Sequence, residues 1–176
     1  MVELTPVMKK FILRWGEMGN AWGINRTVAQ IYALLYLSPE PLTADEISET
    51  LSVARSTVST GLHELQSWGI VKIVHVLGDR RDHFEAMSDV PEMFRVILRQ
   101  RKSREFDPLL ASLRESVTDL STEDAAVKDK LRTMLEFLEA VMTVYDQVEQ
   151  IPTETLVKVA RLGDNFTKVL NKVIRS

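Results

Sequence analysis

Two small groups of side chains stand out for what they can donate. Arg55, Ser56, Ser59, Thr60 and His63 recur at spacings that share the polar side of a helix beginning at Ser52, and Arg80 and Arg81 follow in the turn-forming run Gly78 to Asp82. An arginine carries a rigid fork of N–H groups that matches a guanine edge or a phosphate, and hydroxyls reach bases or backbone. Serine and threonine favour caps and turns over helix interiors, so their clustering on one slim face asks for a use beyond solvation. The chemistry on offer is hydrogen bonding to duplex DNA. Ser52, Arg55, Ser56, Ser59, Thr60 and His63 would act from a helix narrow enough for a major groove. Arg80 and Arg81 would act from a hairpin tip that reaches a phosphate or the minor groove. An ordinary solvated helix face is the plainer alternative.

The surrounding pattern supplies a frame for these groups. Thr43, Ala44, Asp45 and Glu46 read as a capping box that opens a helix with Ile47 and Leu51 facing inward. Ser52 is placed to cap a second helix running to about Trp68, where Gly69 ends it. Ala54, Val58, Leu62 and Leu65 form its buried face. Ile70 to Val76 is a β-rich run, Gly78 with Asp79 makes a tight turn, and His83 to Ala86 is the return strand. Asp79 and Asp82 sit where they order the arginines by pairing. Helix, short turn, helix, strand, basic loop and strand is the outline of a winged helix-turn-helix.

Upstream, Val7, Met8, Phe11, Ile12 and Trp15 mark an amphipathic helix from about Pro6 that ends in a glycine-rich joint, Gly16 to Gly23. Asn25 caps a second helix through Leu37, and Pro39 and Pro41 stop it. Downstream, Asp89, Val90, Pro91 and Glu92 signal a helix start. The basic run from Arg95 to Arg104 either flanks DNA or is a solvated face. Asp107 and Pro108 kink or restart the helix, and Ser121 or Thr122 begins a long one marked by Val127, Leu131, Leu138 and Tyr145. A final helix runs from Thr153 toward Ile174. The expected fold is mainly α with a small β wing, a winged helix-turn-helix plus long dimerisation helices. Its divisions are 1–24 (N-terminal helix and connector), 25–88 (DNA-binding domain) and 89–176 (helical dimerisation region). Long apolar helices beside a winged domain suit a two-fold homodimer that offers two recognition helices to successive major grooves.

Composition narrows the function classes. A 45% hydrophobic content supports a real core, and the net charge of -3 means that any DNA-binding surface is a local patch on an acidic body. Zero cysteines exclude disulfides, thiol catalysis and cysteine-ligated zinc. Neither a signal peptide nor a membrane span is read, so a cytoplasmic protein that does not engage membranes is expected. There is no phosphate loop and no dinucleotide fingerprint. His63, His75 and His83 do not share a metal-binding pattern, and no acidic pair has the context for acid–base work. The expectation is therefore no enzyme, no cofactor and no metal. The competing class is a winged-helix module for protein interaction or structural assembly, which the acidic balance slightly favours.

The runs WGINRTVAQIYALLYLSPEPLTADEI, LSVARSTVSTGLHELQSWGIV and HVLGDRRDHFE closely resemble the GbsR-type branch of the MarR-like transcriptional regulators. The resemblance is strong over residues 11–106 and less specific beyond. It implies a homodimeric winged-helix regulator, often a repressor, with Arg55, Ser56 and Ser59 facing DNA and Arg80 and Arg81 on the wing. It also implies that some relatives sense choline, which makes a small-molecule effector such as choline a possible partner. A quaternary ammonium needs an aromatic cage. Trp15, Trp22, Tyr32, Tyr36, Trp68 and Tyr145 are the rings available for one.

Overall fold

The computed structural model describes residues 2–118, 124–155 and 158. The chain folds as two compact units, Met1–Gln100 and Arg101–Ser176. The first unit is ordered around one central helix. Helix α1 (Pro6–Ala21) is capped by the Thr5 hydroxyl, and α2 (Arg26–Leu37) by the Asn25 side chain, which accepts from the Thr27 amide at 2.8 Å. Seven of the twelve residues of α2 are buried, because it packs against α1 and α4 and also meets α3 and the sheet. Ile31, Ala33 and Leu34 are fully shielded from water.

The expected glycine-rich joint is not a joint. Helix α1 continues through Gly16 and Gly19, and both glycines are buried where α1 crosses α2. A Cβ added at Gly19 would lie 2.5 Å from the Ala29 Cβ, so these glycines exist for close helix approach rather than for chain reversal.

Thr43 forms the anticipated capping box. Its hydroxyl accepts from the Glu46 amide at 3.3 Å, and the Glu46 carboxylate accepts from the Thr43 amide at 2.8 Å. Leu42 and Thr43 also make a short strand, β1, that was not foreseen, because two residues carry no alternation to read. Helix α3 is Ala44–Leu51 and α4 is Arg55–Ser67. Strands β2 (Val71–Val74) and β3 (His83–Ala86) form an antiparallel hairpin, and β1 pairs with β3 on its other side, giving the order β1-β3-β2. Phe84 faces Leu42 on one neighbour and Ile73 on the other. Helix α5 (Val90–Arg101) adds Met93, Val96 and Ile97 to the core. The fold is mainly helical with a small antiparallel wing, the winged helix-turn-helix read from the sequence.

Two details of the turn depart from expectation. Ser52 does not cap α4: it closes α3 in the left-handed conformation, with φ 54°, and α4 starts three residues later behind Ala54, which provides no side-chain cap. Ala54 is exposed rather than buried, since it precedes α4 and so lies outside the helical period that buries Val58, Leu62 and Leu65. Gly61 takes the buried place beside Val58, Leu62 and Leu65.

In the second unit a π-helical turn, Lys102–Phe106, precedes α6 (Asp107–Thr118), so the restart at Asp107 and Pro108 occurs where expected. Helix α7 (Ala125–Glu149) is capped by Asp124. The earlier start at Ser121 or Thr122 lies outside the described residues, as does most of the final helix expected from Thr153. Helix α6 packs on α7, with Leu110, Leu113 and Met142 buried and Arg114 paired to Glu139 at 2.8 Å. No helix among the described residues is long and apolar enough to cross a membrane.

Candidate nucleic-acid interface

Helix α4 and the wing enclose a groove of about 500 Å³. Arg55, Ser59 and His63 enter it from α4, and Arg80 and Arg81 from the wing. The structure therefore gathers five of the eight donors singled out in the sequence. Ser56 and Thr60 occupy another side of α4, beside Asn25, Thr27 and Glu64, where the Thr60 hydroxyl donates to the Ser56 carbonyl at 3.1 Å. Ser52, displaced to the end of α3, borders neither surface.

Two contributors were missed. Gln66 lines the groove, and its spacing from Ser59 and His63 follows the helical period, so a longer helical window would have found it. Asp45 is less accessible to such reading. It sits in the first turn of α3, and its Oδ1 accepts from Arg55 Nε at 2.6 Å. That contact joins two helices across the turn, and no local spacing announces it.

The wing is held by a different pair. Gly78 takes φ 87°, a conformation that costs a residue without Cβ little, and turns the chain toward Asp79. The Asp79 carboxylate receives the Arg81 backbone amide at 2.9 Å and its Nη2 at 2.5 Å, with Nε also in reach. Hydrogen bonds from Arg81 hold the Asp79 carboxyl well below the usual carboxylate range, and the same bonds raise the Arg81 guanidinium. His83 is buried at the base of the wing, one ring nitrogen 3.0 Å from the Arg81 carbonyl. Arg80 is exposed and makes no ion pair among the described residues, and Asp82 lines the groove beside it. The groove is thus a mixed-charge surface in which carboxylates hold Arg55 and Arg81, not a general cation patch.

A separate cavity, of about 210 Å³, is formed by residues of α1, α2 and α5 and is lined by Phe11, Trp15, Tyr32, Tyr36 and Phe94 with Ala33, Val90 and Met93. Its rings contact one another: Trp15 and Tyr32 are 6.4 Å apart, Tyr32 and Tyr36 6.1 Å, and Trp15 meets Phe94 edge-on at 6.2 Å. The Tyr32 hydroxyl donates to the Met87 carbonyl at 2.9 Å, and burial of the phenol pushes its ionisation up. Of the six aromatics considered for a cage, Trp15, Tyr32 and Tyr36 line this cavity. Trp22 and Trp68 line a smaller adjacent one, and Tyr145 belongs to α7 in the second unit. Phe11 and Phe94 complete the ring set and were not anticipated.

Comparison with known proteins follows the same outline. The chain is 26% identical over 141 residues to the HTH-type transcriptional repressor GbsR of Bacillus subtilis (strain 168), covering 77% of this chain and 78% of that protein. The HTH-type transcriptional repressor OpcR of the same organism is 21% identical over 141 residues, with 77% and 76% covered. A solved crystal structure of a transcriptional regulator superposes with a TM-score of 0.63 at 21% identity, covering 82% of this chain and 96% of that one, a likeness of fold. The sequence model described as MarR family matches residues 22–82, from the end of α1 to the tip of the wing. That segment carries the winged helix-turn-helix and is similar to the MarR family.

Proposed function

We propose that this chain is a sequence-specific DNA-binding transcriptional regulator that represses by occluding a promoter. The observation that carries the reading is the groove between α4 and the wing, where Arg55, Ser59, His63, Arg80 and Arg81 face one another. Helix N-termini favour anions, and the start of α4 presents Arg55 at that end. The names of the GbsR and OpcR relatives, both repressors, agree with this direction of control.

The active form is a homodimer. Helix α7 already packs one apolar face on α6, yet Val127, Met134, Phe137, Val141, Val144 and Val148 remain exposed on it. Their spacing alternates three and four residues from Met134 onward, the seam of a two-stranded coiled coil. A second copy of the chain covers it and sets two recognition helices at a fixed separation. Control comes from a small cation such as choline in the aromatic cavity, where ring faces attract a quaternary ammonium. Helix α2 supports this coupling, since Tyr32 and Tyr36 line the cavity while Val28 and Ile31 lie against Gly61 of α4.

Selection of bound duplexes from a genomic fragment library, followed by sequencing, tests the reading. Enriched inverted repeats are expected. Recovery no different from input DNA would overturn it and leave the groove to a protein partner.

A further inference from the structure

The two best-placed arginines are held by carboxylates in contrasting ways. Asp79 takes Arg81 side-on, through both Nε and Nη2. Asp45 takes Arg55 through Nε alone, at 2.6 Å. Among the described residues no protein group occupies the two terminal nitrogens of Arg55, and its side chain is 53% exposed at the groove.

A guanidinium has five N–H donors in a plane. Bidentate reading of guanine uses two of them, toward O6 and N7. A carboxylate on Nε leaves the terminal edge whole and removes the rotation that a long side chain would otherwise keep. Asp45 can serve as such a brace because its own backbone is fixed: it lies inside the Thr43–Glu46 capping box, two residues after Thr43 and directly before Glu46.

We propose that Asp45 is a positioning and specificity-determining residue, which braces Arg55 so that its terminal edge reads a guanine in each half-site. This rests on the DNA-binding reading and adds the base class that α4 selects. Asp45 also sets a negative charge beside the groove, where it disfavours close phosphates. The brace therefore penalises duplexes that offer Arg55 only backbone. Guanine in the right register keeps the Nε contact and gains two hydrogen bonds.

The test measures dissociation constants by fluorescence anisotropy for the wild type, Asp45→Asn and Arg55→Lys. The probes are a selected operator, its single-base variants at every half-site position, and a random duplex. Arg55→Lys retains the charge but loses the planar fork. The wild type is expected to prefer guanine at one position by roughly tenfold or more. Arg55→Lys should flatten the preference there. Asp45→Asn should flatten it at that same position, with unchanged or tighter binding to the random duplex. The pair is exposed on both sides, so the Asn variant should keep the wild-type melting temperature. Full retention of the guanine preference in Asp45→Asn would overturn the inference, as would equal weakening on all duplexes. A wild type that binds no duplex would overturn the DNA reading and this inference with it, which separates the two failures.

Discussion

Gly61 of α4 lies directly against Ile31 of α2, so that a Cβ built at Gly61 would stand 2.7 Å from the Ile31 Cδ1. Ile31 is fully buried, and its end methyl cannot turn into solvent. The missing side chain lets the recognition helix sit down on the core helix, which fixes how far α4 projects. Gly61→Ala gains about 1 kcal/mol of helix propensity and loses about 1–3 kcal/mol to overpacking. Net destabilisation of about 1 kcal/mol is expected by denaturant unfolding. In an Ile31→Val background the end methyl is gone, and the same Gly61→Ala change should become stabilising. A double-mutant cycle without that change of sign would show that the contact does not limit the packing.

The capping box ties the start of α3 to pH. Backbone and side-chain hydrogen bonds from Thr43 hold the Glu46 carboxyl below its usual range. A depressed carboxyl contributes stability above its unfolded pKa of about 4.3 and loses it as pH falls through the lower folded value. Thr43→Ala should cost about 1–2 kcal/mol at neutral pH. The gap to wild type should narrow in acid, where the wild type loses the same carboxylate bond. A gap that stays constant from neutral pH into acid would contradict the assignment.

The uncovered seam of α7 predicts oligomeric state. Phe137 and Val144 are 66% and 59% exposed and lie one coiled-coil interval apart. Phe137→Glu with Val144→Glu places charge in the seam without touching Met142, which is buried in the second unit beside α6. Sedimentation equilibrium should show a dimer for the wild type and a monomer for the variant, with helix content retained. A variant that remains dimeric would move the interface elsewhere.

The aromatic cavity predicts an effector. Choline should bind by titration calorimetry and alter tryptophan fluorescence through Trp15. Tyr36→Leu keeps apolar bulk but removes one ring face, and should weaken that binding by roughly three- to tenfold, within the range of a cation–π contact of about 0.5–2 kcal/mol. Absence of heat at millimolar choline would remove the cation from the account while leaving the DNA interface as it stands.

Most of the frame was legible because it rests on local rules. The Thr43 capping box, the Asn25 cap and the hairpin around Gly78 are each specified within a few residues. The glycine-rich stretch misled, since Gly16 and Gly19 look like chain breakers until α2 is seen packed across them. Ser52 misled in the opposite sense: a serine before a helix reads as its cap, whereas tertiary packing places it in a left-handed turn that ends α3. The polar side of α4 read as one face, but the wing covers only part of it, so Ser56 and Thr60 fall outside the groove. The Asp45–Arg55 pair joins residues ten apart on two helices, and only three-dimensional structure brings it into view.

On the proposed function, the groove between α4 and the wing holds DNA through its arginines. The most direct measurement is the affinity of Arg55→Ala with Arg81→Ala for a selected operator, at fixed salt, in protein shown to keep its fold and its oligomeric state. Loss of one base contact and one phosphate contact should weaken binding by roughly a hundredfold. Affinity equal to that of the wild type would contradict the account.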